Sequence, residues 1–181
     1  MITPPARWET ERLVLTPACV ADAKAAFESY TADPAVPRYM IWRAHRGLDE
    51  TEQFMRRCEE GWREGSAFSW SLRLKLDGSF AGMLAARVRG HSVDIGYVLA
   101  RRLWRQGLMG EAVGALVGWA MSQPGIYRVW AVCDVDNIAS ARLLEHVGMQ
   151  LEGTLRRWLV HPNMGEAPRD CLCYAIVKQA G

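Results

Sequence analysis

The chain reads as an α+β domain, with helices packed around a mostly antiparallel central sheet of about seven strands. Three observations predict this. Apolar periods of two and of 3.6 residues succeed one another in the order strand, two helices, three strands, helix, strand, helix, two strands. Asp77-Gly78 sits between two extended runs and supplies the positive φ of a tight hairpin turn, so those strands are antiparallel neighbours. Finally, 181 residues, 50% hydrophobic and 23% charged, suffice for one core, since a chain of this length buries roughly 70% of its unfolded surface without metals or disulfides.

Each element has its own signal. Residues 12–16 alternate in the strand manner and stop at Pro17, and residues 20–30 place Ala23, Ala26, Phe27 and Tyr30 at helical spacing. Asp33-Pro34 and Val36-Pro37 mark a loop carrying Tyr39, Met40, Ile41 and Trp42, before 49–64 forms a charged amphipathic helix with Phe54, Met55, Cys58 and Trp62 inward. Strands at 67–76, 80–89 and 93–99 make an antiparallel meander. A short loop, Arg101-Arg102-Leu103-Trp104-Arg105-Gln106-Gly107, leads into a helix with Leu108, Ala112, Ala115, Leu116 and Trp119 on one face, ended by Pro124-Gly125. A strand at 127–133 and a helix at 137–147 follow, the helix closed by Gly148 in the C′ position, and strands at 149–161 and 170–178 complete the order. Nothing in the composition divides the chain, so residues 1–181 are expected to be one domain.

Composition excludes several classes. Lys plus Arg number 22 against 20 Asp plus Glu, a net charge of +2, and the balance is 13 against 13 through Ala100 and 9 against 7 beyond it. With no basic arm, direct nucleic-acid or membrane binding is not expected, although a local patch for a phosphorylated ligand stays open. The five cysteines, Cys19, Cys58, Cys133, Cys171 and Cys173, lack metal or redox spacing and read as reduced thiols. The amino terminus lacks a signal-peptide pattern, and the longest uncharged helical stretch, 112–121, is ten residues. A cytoplasmic location is the expectation.

Two segments carry chemistry. Trp104-Arg105-Gln106-Gly107-Leu108-Met109-Gly110-Glu111-Ala112 opens an apolar helix. First-turn amides have no partner within their helix and converge on its positive dipole end, which suits a diphosphate, and glycines at 107 and 110 permit close approach. Arg101, Arg102 and Arg105 lie just upstream. The same residues also describe a glycine-softened helix start with solvated arginines. The segment is neither a P-loop nor a Rossmann fingerprint, so nucleotide hydrolysis and hydride transfer lose support. In the second segment, Asn137 stands at a helix start, where it serves as an N-cap, and Ser140 lies one turn on, with its hydroxyl on the same side.

Together these segments resemble the GNAT superfamily of acetyl-CoA-dependent N-acetyltransferases, in particular its RimJ/RimL-like branch. The likeness runs along nearly the whole chain. Glu11-Arg12-Leu13-Val14-Leu15-Thr16-Pro17 resembles the branch's opening strand, Asp94-Ile95-Gly96-Tyr97-Val98-Leu99 its fourth strand, and 104–112 its CoA loop. Asn137-x-x-Ser140, with Leu143-Leu144-Glu145 and Gly148-Met149, is similar to its Asn-x-x-Ser helix, and Glu152-Gly153-Thr154-Leu155-Arg156 to the strand that follows. Trp104 and Met109 depart from the general superfamily loop, and Leu144 stands where many members have a tyrosine.

The resemblance implies a sheet splayed between its fourth and fifth strands, and a site within the splay. It implies acetyl-CoA as cosubstrate without a metal, held by Tyr97, Val98 and Leu99 on the fourth strand, by Arg102, Arg105, Gln106, Gly107, Leu108, Met109 and Gly110 at the turn, and by Asn137 and Arg142 on the last helix. Ser140 then becomes the partner of the leaving thiolate. Asp94 is offered as general base, with direct loss of the proton to water as its rival, because an α-amine has a pKa near 8. Cys133 could form a covalent acetyl intermediate but reads mainly as core, so direct attack in a ternary complex is expected. Tyr39, Trp42 and Arg43, with Trp158 at a hairpin tip, would face the acceptor. That acceptor would be a primary amine, either a protein or peptide amino terminus or a small molecule. A catalytically silent CoA-binding sensor is the alternative function, and a homodimer is allowed by the eight tryptophans.

Overall fold

In the computed structural model, which describes residues 2–178, one sheet of eight strands takes up the whole length. The strands are β1 (Trp8–Glu9), β2 (Leu13–Pro17), β3 (Phe68–Leu74), β4 (Phe80–Arg89), β5 (Ser92–Leu99), β6 (Arg128–Asp134), β7 (Gln150–Leu159) and β8 (Arg169–Val177). Their spatial order is β1-β2-β3-β4-β5-β6-β8-β7. All neighbours are antiparallel except β5 and β6. The eighth strand, beyond the seven expected, is β1. Two residues are too few to show an alternating pattern, and Trp8 is held by its edge-on contacts with Trp70 and Trp119 at 5.9 Å each.

The helices are α1 (Ala23–Ala26), α2 (Leu48–Glu64), α3 (Leu108–Ser122) and α4 (Ile138–His146). The first expected helix, 20–30, winds in three ways: a 3-10 turn at Val20–Asp22, then α1, then a π-type turn at Phe27–Thr31. Gly65, at φ +68°, closes α2, and Gly148, at φ +89°, follows α4.

Register decides which face each side chain meets. Ser71, Met83 and Val98 are paired across β3, β4 and β5 and share one face. There the Tyr30 hydroxyl reaches the Met83 sulfur and Ser71 donates to Asp22 Oδ2 at 2.6 Å, so this is the side of α1. α2 packs on α1, where the buried Thr31 and Thr51 hydroxyls lie 2.9 Å apart. Trp70, Leu84 and Tyr97 share the opposite face, over which α3 and α4 lie. Core side chains fill both sides, with Trp70, Leu72, Leu84, Leu116 and Leu144 fully enclosed.

The one parallel junction is short. β5 and β6 pair only through Ser92, Val93 and Asp94 against Arg128, Val129 and Trp130. Beyond Asp94 the strands part. β5 stays bonded to β4 as far as Leu99, and β6 stays bonded to β8 as far as Asp134. The splay expected between these two strands is therefore present.

Candidate active site

A wedge opens between residues 95–99 of β5 and 131–134 of β6. Backbone groups alternate in direction along a strand, so every second N–H and C=O of 95–99 faces the wedge without a ladder partner there. At the end of β5, Trp104 Nε1 donates to the Leu99 carbonyl at 2.8 Å, so this tryptophan closes one side of the opening.

The start of α3 lies beside that opening. Gly107 precedes the helix with φ +77°, and no side chain caps the first turn. Among the described residues, the amides of Gln106, Gly107, Leu108, Met109 and Gly110 donate to no protein acceptor, and Glu111 is the first to bond back, to the Gly107 carbonyl at 3.2 Å. The side chains of Leu108 and Met109 are buried in the core, so they offer their amides alone. The bulk of Met109 therefore lies inside the fold and not on the outer side of the turn. The turn is clamped from behind, where Arg12 ion-pairs with Glu111 and donates to the Gln106 carbonyl at 2.9 Å while Thr10 Oγ1 donates to Glu111 at 2.8 Å. Burial pushes the Glu111 carboxyl up, but Thr10 and Arg12 outweigh it and hold it below the usual range.

On the facing wall, Asn137 caps α4, its Oδ1 accepting the Ser140 amide at 3.3 Å. The Ser140 hydroxyl lies 2.7 Å from the Tyr97 hydroxyl. The structure thus joins two residues assigned separately from the sequence, and it adds the Tyr97 phenol to a strand position expected to act through its backbone. Burial drives the Tyr97 phenol well above its ordinary pKa, so it stays protonated and can donate to Ser140, leaving the serine proton free for another acceptor. Cys133 ends the β6 wall. Burial raises its thiol to about 11, with Ser140 partly offsetting this, so the thiolate needed for a covalent acetyl intermediate is a minute fraction at neutral pH.

Two assignments change. Asp94 shares a face with Val98, opposite to Tyr97 and Ser140, and stands at the zipped end of the strand pair. It is 7% exposed, accepts from Arg87 Nε at 2.6 Å and has Arg89 at 3.8 Å. A carboxylate neutralised there braces β4 against β5. Arg102 turns away from the phosphate turn and donates to the Phe80 carbonyl at 2.7 Å. Arg105 and Arg142 are exposed, and among the described residues neither guanidinium group makes an ion pair.

The expected acceptor elements do meet. Asn163, in the β7–β8 tip, donates to the carbonyls of Pro37 and Trp42 at 2.6 and 2.7 Å, tying the tip to the 33–47 loop. Tyr39 donates to the Asp136 carbonyl at 3.2 Å, just ahead of Asn137. Trp42 is half-buried, packed between Tyr30 and His45, whereas Trp158 is 50% exposed. Sequence reasoning missed the cluster beneath. Asp134 is gripped by Arg169 at 2.6 and 3.0 Å, Arg169 also reaches Asp136 at 2.6 Å, and His161, 2% exposed, lies 3.4 Å from Asp134. Only the convergence of β6, β8 and the β7–β8 tip brings these residues together, and no local motif announces it. Among the described residues no group of His, Cys, Asp and Glu could hold a metal ion, and no helix is long and apolar enough to cross a membrane.

The open parallel junction beside an uncapped helix start is the arrangement that the family resemblance implies, and comparison with known proteins agrees. The acetyltransferase (GNAT) domain model matches residues 12–150, and the chain belongs to the GNAT acetyltransferase family. It is 28% identical over 173 residues to the uncharacterized N-acetyltransferase YoaA of Bacillus subtilis, covering 94% of this chain and 96% of that protein. Among solved structures it is similar to RimL, an alpha-N-protein acetyltransferase of a ribosomal protein, in complex with coenzyme A, with TM-score 0.82, 21% identity and 96% of each chain covered. It is also similar to the microcin self-immunity acetyltransferase MccE in complex with acetyl-CoA and AMP, with TM-score 0.83, 19% identity, and 93% of this chain and 94% of that one covered. At these identities the structures share the fold.

Proposed function

We propose that the protein is an acetyl-CoA-dependent N-acetyltransferase that acetylates a primary amine by direct attack, the amine being a protein or peptide amino terminus or that of a small molecule. The observation that carries this is the run of unpartnered amides at 106–110 beside the open β5–β6 wedge. The site fits the cosubstrate: amides and a helix dipole for a diphosphate, free guanidinium groups at Arg105 and Arg142 for further phosphates, and the exposed backbone edge at Tyr97, Val98 and Leu99 for an amide-bearing arm. Bound there, acetyl-CoA would supply an activated acetyl group with a thiolate to leave.

The chain's own residues then have distinct tasks. Edge amides of β5 polarise the carbonyl where negative charge develops. Tyr97 donates to the Ser140 oxygen, which aims the serine proton at the departing sulfur. Ser140 is too weak an acid to protonate a thiolate by itself, whose conjugate acid has a pKa near 8.5, so it stabilises the sulfur by hydrogen bonding while water delivers the proton. Asp94, ion-paired on the opposite face, takes no part, and an α-amine with pKa near 8 loses its proton to water. The 33–47 loop and the β7–β8 tip hold the acceptor.

The test is a panel of amines and peptides with acetyl-CoA, reading thiol release. Turnover with at least one class is expected. Tight CoA binding without transfer to any of them would establish the silent sensor instead.

A further inference from the structure

The 33–47 loop, to which the reading above gives the acceptor, and α2 line an open surface pocket of about 370 Å³. Arg43 and Arg46 come from the loop and Arg57 from α2, and all three are exposed. Among the described residues none of the three guanidinium groups makes an ion pair or a side-chain hydrogen bond. The single acid of the lining, Glu50, spends its carboxylate on the Arg46 backbone amide at 3.0 Å. His45 adds no charge, since burial holds its imidazole below the usual range and its Nδ1 is engaged by Thr51 at 2.7 Å. Three cations against one anion is a local excess in a chain whose net charge is +2.

The pocket is also placed relative to the chemistry. Its wall is Trp42, whose carbonyl is pinned by Asn163, and three residues earlier Tyr39 is bonded to the Asp136 carbonyl at the mouth of the wedge. Tyr39 and Arg43 are four residues apart, so the mouth and the pocket are separated by at most about 14 Å of backbone. A free amino acid carries its carboxylate within a few Å of its amine, whereas a peptide with its amine in the wedge can also bring side chains several residues on to the pocket. An extended peptide, advancing about 3.3 Å per residue, covers a separation of this size in about four residues or fewer beyond the mouth.

We propose that the acceptor is an acidic peptide segment, its terminal amine in the wedge and carboxylates a few residues downstream held by Arg43, Arg46 and Arg57. This rests on the acetyltransferase reading and narrows its acceptor. Three acceptors test it: an octapeptide with glutamates at its fourth to sixth positions, the same peptide with glutamines there, and free glutamate. Thiol release gives kcat/KM, and a carboxy-terminal fluorophore gives peptide binding independently of turnover.

The acidic peptide is expected to exceed the neutral one by about fivefold to tenfold in both readouts, through KM, with the preference shrinking as salt is raised. In the Arg43→Gln, Arg57→Gln double variant the ratio should fall to about one, whereas Arg63→Gln, on the last turn of α2, should leave it intact. Equal kcat/KM and binding for the two peptides would overturn the proposal while leaving acetyl transfer standing. So would a preference indifferent to the double variant, or free glutamate serving as well as the acidic peptide. Absence of transfer to every acceptor, with the binding preference present, would instead remove the acetyltransferase reading and leave an arginine site for acidic peptides.

Discussion

The two helices over one face of the sheet begin in opposite ways. At α4 the Asn137 side chain takes up the Ser140 amide, the following turn is satisfied, and the helix start is finished by the protein itself. At α3 Gly107 has no side chain to offer, and the amides through Gly110 are left facing outward, while Arg12, Thr10 and Glu111 lock the turn from behind. A helix end without partners is costly unless solvent or a ligand supplies them. The difference divides the two tasks we propose for this face: the capped start aims a hydroxyl, and the uncapped start leaves its amides for an anion.

Making the two starts alike should have the largest effect. Gly107→Asp places a carboxylate where a capping residue would sit, and aspartate tolerates the left-handed backbone better than most residues. A Cβ at this position meets only the end of the Arg12 side chain at 3.4 Å, so the fold has room for it. The carboxylate should occupy the amides and repel a diphosphate. We expect CoA affinity to fall by about 100-fold, the loss of two charge-assisted bonds, with the thermal midpoint within a few degrees of the parent. Calorimetric titration with CoA checks this, and unchanged affinity would mean that the diphosphate binds elsewhere.

The second effect concerns what the capped helix aims. Ser140→Ala removes the hydroxyl that would steady the departing sulfur and should lower kcat by about 30-fold, with KM for acetyl-CoA changed less than about threefold. It also strands the buried Tyr97 phenol. Tyr97→Phe therefore serves as the companion variant: it leaves Ser140 in place but unaimed and should cost about fivefold in kcat. Equal losses in kcat and cofactor affinity for Ser140→Ala would make the serine a binding residue.

The same contrast explains how far the sequence could be read. Both helix starts were legible because their signals are local: Gly107 and Gly110 in one turn, Asn137 and Ser140 in the other. The meander likewise follows from Asp77-Gly78, whereas the splay is what the family resemblance implies. What escaped depends on register. Alternation puts Asp94 on one face but cannot say that Arg87 is its partner across β4, where the ion pair turns it away from the Tyr97 and Ser140 side. Tyr97 and Ser140 are 43 residues apart and meet only because the wedge brings strand and helix together. Arg102 depends on register too, since the Phe80 carbonyl to which it donates lies at the start of a different strand. The Asp134, Arg169 and His161 cluster needs three elements to converge.

The smallest effect separates two roles for Asn137. The resemblance implies a cofactor contact, whereas the structure shows its Oδ1 committed to the Ser140 amide. Asn137→Ala should cost about 1 kcal/mol in stability, the usual value of a lost N-cap, and a comparably small fraction of kcat as the first turn of α4 loosens around Ser140. Asn137→Asp decides between the roles. Aspartate caps as well as asparagine and favours the helix dipole, so a residue that only caps should leave stability and CoA affinity near the parent values. A residue that also donates its amide hydrogens to the cofactor should lose them on becoming a carboxylate, and CoA affinity would drop by about tenfold while the thermal midpoint held. Chemical denaturation and CoA titration on the same two variants tell a helix cap from a cofactor ligand.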